Sequence, residues 1–191
     1  MFSKEIVSIS MENQSQAQTY RGQKLIAFIL GNVVERACGC ELILQNTVDE
    51  MTQYPFITFQ VISPENDSTS DWLEDDRQFT VEFQIDAHAG DFYTANDIAM
   101  KLYEALHDYG YRRFFRQANI VVVSTTQTSN RTTLEGINYD HDVGFDCSFL
   151  ITGLRDYKDT DLNFSYDKFN MRTASAGTAN VTNGTVTSKG N

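Results

Sequence analysis

Residues 78–89 alternate strictly between apolar and polar side chains. A strand points successive side chains to opposite faces, so this pattern predicts a sheet with one buried face and one solvated face. The buried face needs a second layer to cover it, which excludes a single uncovered sheet. The inward set is Phe79, Val81, Phe83, Ile85 and Ala87, and the outward set is Thr80, Glu82, Gln84 and Asp86.

Two helices can supply that second layer. Apolar residues recur at three- and four-residue spacing over residues 19–37, and Gly39 follows as a C-terminal stop. A second such stripe runs from Thr94, a predicted N-cap, to Gly110, a predicted stop. Further strands are predicted at residues 55–63, 119–124 and 139–151.

The predicted fold class is α+β, in the order α–β–β–α–β–β. It has a mostly antiparallel sheet with two main helices packed on one face. After this domain, placed at residues 1–157, the composition changes. Residues 158–191 are predicted to be an extended, low-complexity C-terminal arm, because residues 171–191 carry only Arg172 and Lys189 as charges.

The chain is acidic, with a formal net charge of −11 over 191 residues. Such a surface repels phosphate, so DNA wrapping is disfavoured, and no apolar run approaches membrane-spanning length. The N-terminus shows no secretory pattern, and three cysteines form no disulfide framework, so we expect synthesis in a reducing cytoplasm.

Candidate chemistry is sparse. Asp86 and His88 share a strand face, and His141 lies between two aspartates, so a small cytosolic enzyme using these three residues is one hypothesis. Hydrolase, metalloprotease and phosphate-loop motifs are not found in the sequence. Cys38-Gly-Cys40 is a weak metal signal without a second pair, and Cys147 alternates with core aromatics. No catalytic residue, metal or cofactor is predicted.

Two oppositely charged segments are candidates for protein contacts. Residues 64–76 are predicted to be a long hairpin loop with six acidic residues. Trp72 and Leu73 lie within it beside Asp71, and an aromatic side chain there suggests an interface anchor. The basic partner segment consists of Arg112, Arg113 and Arg116.

Residues 55–63, the acidic loop, residues 79–89 and the helical pattern at 95–106 together resemble the tail terminator, or neck, proteins of tailed bacteriophages. The resemblance covers roughly residues 20–155 and leaves the C-terminal arm out. It implies a structural virion subunit without catalytic residues, made in the host cytoplasm. Identical subunits, six being the expected number, would form a ring that caps the tail tube protein and joins it to the head–tail connector proteins. Another tail or connector component is the alternative within this class.

The resemblance implies that such a ring would pass DNA without binding it specifically and would have no membrane partner. Acidic side chains that face the channel would repel the phosphates and keep the DNA moving. The predicted channel-facing residues are Asp67, Glu74, Asp75 and Asp76.

Overall fold

A computed structural model describes residues 18–48, 53–68, 77–135 and 138–166. In chain order its elements are β1 (Thr19–Tyr20), α1 (Gly22–Cys38), β2 (Glu41–Leu44), β3 (Phe56–Asp67), β4 (Gln78–Ala89), α2 (Phe92–His107), α3 (Tyr109–Arg116), β5 (Ile120–Thr125), β6 (Ser129–Asn130), β7 (Thr133–Glu135), β8 (Asn138–Thr152) and β9 (Tyr157–Lys158). None of the helices in these residues is long and apolar enough to cross a membrane.

The main sheet has the strand order β2-β3-β4-β8-β5, and β6 and β7 also pair along β8. Every pairing except β2 with β3 is antiparallel. The predicted α+β class with a mostly antiparallel sheet is therefore confirmed. The predicted order omitted β2 and α3 among others, since a four-residue strand such as β2 is too short to show a periodic pattern.

One hydrophobic core joins the inward face of the sheet to the helices. Phe83 and Phe149 meet edge to face there, with ring centroids 5.6 Å apart. Cys147 is fully buried in this core, as its alternation with aromatics predicted. Helix residues in the same cluster include Ile26, Ile29, Leu30, Leu102, Leu106 and Phe115.

Helix α1 ends as the sequence predicted. Gly39 has φ 71° and ψ 24°, the left-handed conformation that glycine adopts without steric cost. Its N–H donates to the carbonyl oxygens of Val34 and Glu35 and so closes the last turn. The helix begins at Gly22 rather than at residue 19, because Thr19 and Tyr20 pair with β9.

Helix α2 differs from the prediction at both ends. Its N-cap is Asp91, whose carboxylate accepts the N–H of Thr94 at 3.0 Å, so Thr94 is a donor and not the cap. The helix ends at His107. Asp108 then accepts the N–H of Gly110 at 2.6 Å and starts α3, so Gly110 lies inside a new helix instead of stopping the old one.

Packed structure continues past the predicted domain boundary at residue 157. Leu162 is buried in the core, and the Phe164 ring packs edge to face on Phe28 and Phe114. Two of the first nine residues assigned to the arm, Leu162 and Phe164, therefore pack on the core and on the helices. The rest of the predicted arm, residues 167–191, lies outside the described residues.

Candidate subunit interface

The acidic segment begins inside a strand. β3 extends to Asp67, four residues beyond its predicted end, so Glu65 and Asp67 lie on the strand and not in a loop. Arg77, which the sequence analysis did not single out, lies 3.0 Å from the Glu65 carboxylate and 2.7 Å from that of Asp67. The hydrogen bond that Arg77 donates to Asp67 raises the pKa of Arg77 above its ordinary value. The guanidinium also lies over the Phe79 ring, 5.2 Å from its centroid.

Six other predicted site residues lie outside the described residues. Their proposed roles as interface anchors or channel-facing acids stay predictions. They are Asp71, Trp72, Leu73, Glu74, Asp75 and Asp76.

The three predicted basic residues lie on α3. Arg112 donates from Nη2 to the carbonyl oxygen of Val122 on β5, at 2.7 Å, and thereby ties the helix to the edge of the sheet. Arg113 and Arg116 are exposed, and the Arg116 guanidinium lies 5.4 Å over the centroid of the Tyr109 ring. Arg113 and Arg116 are thus the exposed cations of α3, whereas Arg112 is half-buried.

The acids of β3, Glu65 and Asp67, and the basic helix α3 lie on opposite flanks of the sheet at the same level. One row of paired residues runs from Asp67 through Phe79 and Ile151 to Ile120. β3 and β5 are therefore separated by β4 and β8, three spacings of about 4.8 Å or roughly 14 Å in all. One end of this row carries the acids of β3, and the other adjoins the basic helix.

The alternation predicted that the outward face of the sheet would be solvated. Part of this face is buried instead. Asp86 is buried, with 2% of its surface exposed. Its carboxylate accepts from Arg131 Nη1 at 2.6 Å and from Gln84 Nε2 at 2.6 Å, and Arg131 Nη2 donates to Asp146 at 2.8 Å. Burial lowers the pKa of Arg131, but the hydrogen bonds and charges of the two aspartates outweigh it and raise the pKa.

The three residues of the enzyme hypothesis do not converge. His88 Nε2 lies 2.8 Å from Thr58 Oγ1, and its ring stacks on Phe56 with centroids 4.8 Å apart. His141 pairs with Ala89, whose side chain belongs to the helix-covered face, whereas Asp86 and His88 face the other way. Within the described residues, no three His, Cys, Asp or Glu side chains are grouped to hold a metal ion.

Comparison with known proteins assigns the family. The chain matches the sequence model of the phage neck terminator protein family over residues 24–183. This match includes most of the C-terminal segment that the resemblance had left out. No curated protein sequence matches the chain. The family match covers most of the 191 residues, and the chain therefore belongs to the phage neck terminator proteins, structural proteins of the tail or neck of the bacteriophage virion.

Proposed function

We propose that identical copies of this chain, six being the expected number, close into a ring that terminates the tail tube and joins it to the head–tail connector. The observation that carries this proposal is the placement of oppositely charged segments on opposite flanks of one sheet. Glu65 lies near the end of β3 on one flank, and Arg113 and Arg116 are exposed on α3 beside β5 on the other.

Contacts between two different surfaces of identical subunits are heterologous. Repeated head-to-tail contacts of this kind form a ring when the rotation between neighbours closes, and an open filament when it does not. An isologous dimer could satisfy the same charges, but a subunit at the end of a tube needs an annular arrangement. The neck terminator family therefore favours the ring. Complementary charge mainly sets register and excludes wrong partners, which suits a ring that must close with a fixed copy number.

The acids of residues 67–76 would divide between two roles. Asp71, with Trp72 and Leu73, would contact the neighbouring subunit or the tube and connector proteins, because Trp is enriched at the centre of interfaces. Asp67 and residues 74–76 would face the channel. The net charge of −11 supports passage of DNA without specific binding, since phosphate is repelled from such a surface.

Native mass spectrometry of the purified full chain tests the ring directly. The Arg113→Glu/Arg116→Glu variant keeps Arg112 and its bond to β5, so α3 stays attached to the sheet. Like charges brought together at an interface cost several kcal/mol, and we expect this variant to be monomeric where the wild type gives a closed oligomer.

The matched control is Lys24→Glu/Arg155→Glu, which makes the same charge change at two exposed cations away from α3. We expect the control to assemble like the wild type. A wild-type dimer, or assembly that survives the α3 double variant, would contradict the proposal.

A further inference from the structure

The segment Cys38-Gly39-Cys40 holds two thiols next to one another at the end of α1. Peptide units are planar, so the Cα separation of Cys38 and Cys40 is fixed by the φ and ψ of Gly39. These values, 71° and 24°, are close to the mirror image of a helical residue. Helical geometry places residues i and i+2 about 5.4 Å apart, and a mirror image keeps the same distance. Disulfides join Cα atoms at about 4.4–6.8 Å, so the backbone already has a suitable span.

The side chains also meet. The Cys38 and Cys40 thiols interact with each other, and Cys38 Sγ lies 3.8 Å from the carbonyl oxygen of Ile98. Both cysteines are half-buried, and Cys40 lines an open surface cavity of about 470 Å³ together with Glu35 and Leu42. An oxidant can therefore reach Cys40 from solvent, whereas Cys147 is enclosed in the core.

The interaction between the two thiols gives them different pKa values. The interaction with Cys40, together with burial, raises the pKa of Cys38 well above that of an ordinary thiol. The same interaction lowers the pKa of Cys40 although burial opposes it. Since the thiolate is the nucleophile, Cys40 is the thiol that attacks, and Cys38 is the one that holds its proton until later.

We propose that Cys38 and Cys40 are a redox modification site, which forms a reversible disulfide by exchange with a small-molecule disulfide. A zinc site is the weaker interpretation, because structural zinc takes four ligands and the described residues group no third one with this pair. The disulfide would link the last residue of α1 to the residue that precedes β2. This inference does not depend on ring assembly.

The exchange balances in two steps. The Cys40 thiolate attacks one sulfur of a disulfide RSSR, forms a mixed disulfide and expels the first RS⁻. Cys38 then gives up its proton, attacks Cys40 Sγ and expels the second RS⁻. Two cysteine thiols are oxidised, and RSSR is reduced to two RSH once the expelled thiolates are protonated.

The test treats the folded full chain with oxidised glutathione, quenches with acid and measures intact mass and free thiols. We expect the wild type to lose the mass of two hydrogens and to fall from three free thiols to one. Peptide mapping should place the link between Cys38 and Cys40. The Cys147→Ser control should form the same disulfide. A wild type that does not react, or that keeps a glutathione adduct without forming the disulfide between Cys38 and Cys40, would overturn the proposal.

Two single variants test the order of attack. Cys38→Ser should stop at a stable glutathione adduct on Cys40, because no second thiol remains to displace it. Cys40→Ser should react at Cys38 more slowly than Cys38→Ser reacts at Cys40, because Cys40 lines the surface cavity whereas burial still raises the pKa of Cys38. Equal rates in the two variants would show that the pair has no preferred nucleophile and would contradict the assigned roles.

Discussion

Gly144 is directly opposite Asp86 in the pairing of β4 with β8. A Cβ added at Gly144 would overlap the Asp86 carboxylate oxygen and the carbonyl oxygen of Ile85, and would lie 2.9 Å from Asp86 Cγ. The Ile85 carbonyl belongs to a strand that is paired on both sides, so it cannot move without disturbing a ladder. Gly144→Ala should therefore destabilise the fold although it adds a single methyl group.

The magnitude follows from the two ways of relieving the overlap. Spreading β4 and β8 is overpacking, which costs about 1–3 kcal/mol. Turning the Asp86 carboxylate away separates a buried charge from Arg131, and breaking such a pair costs about 3–5 kcal/mol. Spreading the strands relieves both overlaps at once, whereas turning the carboxylate leaves the backbone overlap in place. We therefore expect the cost of spreading, near its upper end at about 3 kcal/mol. For a chain of this size, that lowers the melting temperature by roughly 10 °C.

Urea denaturation followed by circular dichroism measures this difference. Gly90→Ala is the matched control, because Gly90 is exposed and an added Cβ there would have no atom within 4 Å. The control should unfold within about 0.5 kcal/mol of the wild type. If Gly144→Ala were as stable as Gly90→Ala, the assignment of Gly144 as the space for the Asp86 carboxylate would be refuted.

Two other substitutions test the same structure. Arg131→Met should destabilise the fold by about 3 kcal/mol, because it leaves Asp86 buried without a counter-charge. Adding Asp86→Asn should recover part of that loss. A lower urea midpoint for the double variant than for Arg131→Met alone would contradict this. Asp91→Ala should destabilise at neutral pH by removing the α2 cap. The hydrogen bonds from Thr94 lower the pKa of Asp91, so its contribution is present above about pH 4 and is lost as the pH falls through the folded pKa. The difference from wild type should therefore shrink between urea titrations at neutral pH and at pH below about 3, and a constant difference would contradict the capping role.

Much of the framework could be predicted from local pattern. β4 was predicted with its observed bounds because twelve alternating residues define both its length and its buried face. Gly39 was correctly assigned as the stop of α1, since a left-handed cap favours glycine. The break between α2 and α3 was not predicted, because the apolar pattern continues across Asp108, whose capping bond starts α3.

The parts that sequence missed depend on contacts between distant residues. Alternation showed that Asp86 points outward, but not that Arg131, 45 residues away, would reach across and bury it. Likewise, the sequence showed that Glu65 and Asp67 are acidic but did not predict their ion pairs with Arg77. Those pairs form because β3 extends past Pro64. Arg112 was predicted to contact a neighbour, but nothing local indicated its bond to Val122.

We propose a closed ring of copies of this chain at the head end of the tail. Cryo-electron microscopy of the neck of the intact virion tests it most directly. We expect a ring of identical copies between the tail tube and the connector, with α3 of each copy facing the β3 end of the next. A neck in which this chain is present as isolated copies, or is placed elsewhere in the particle, would contradict it.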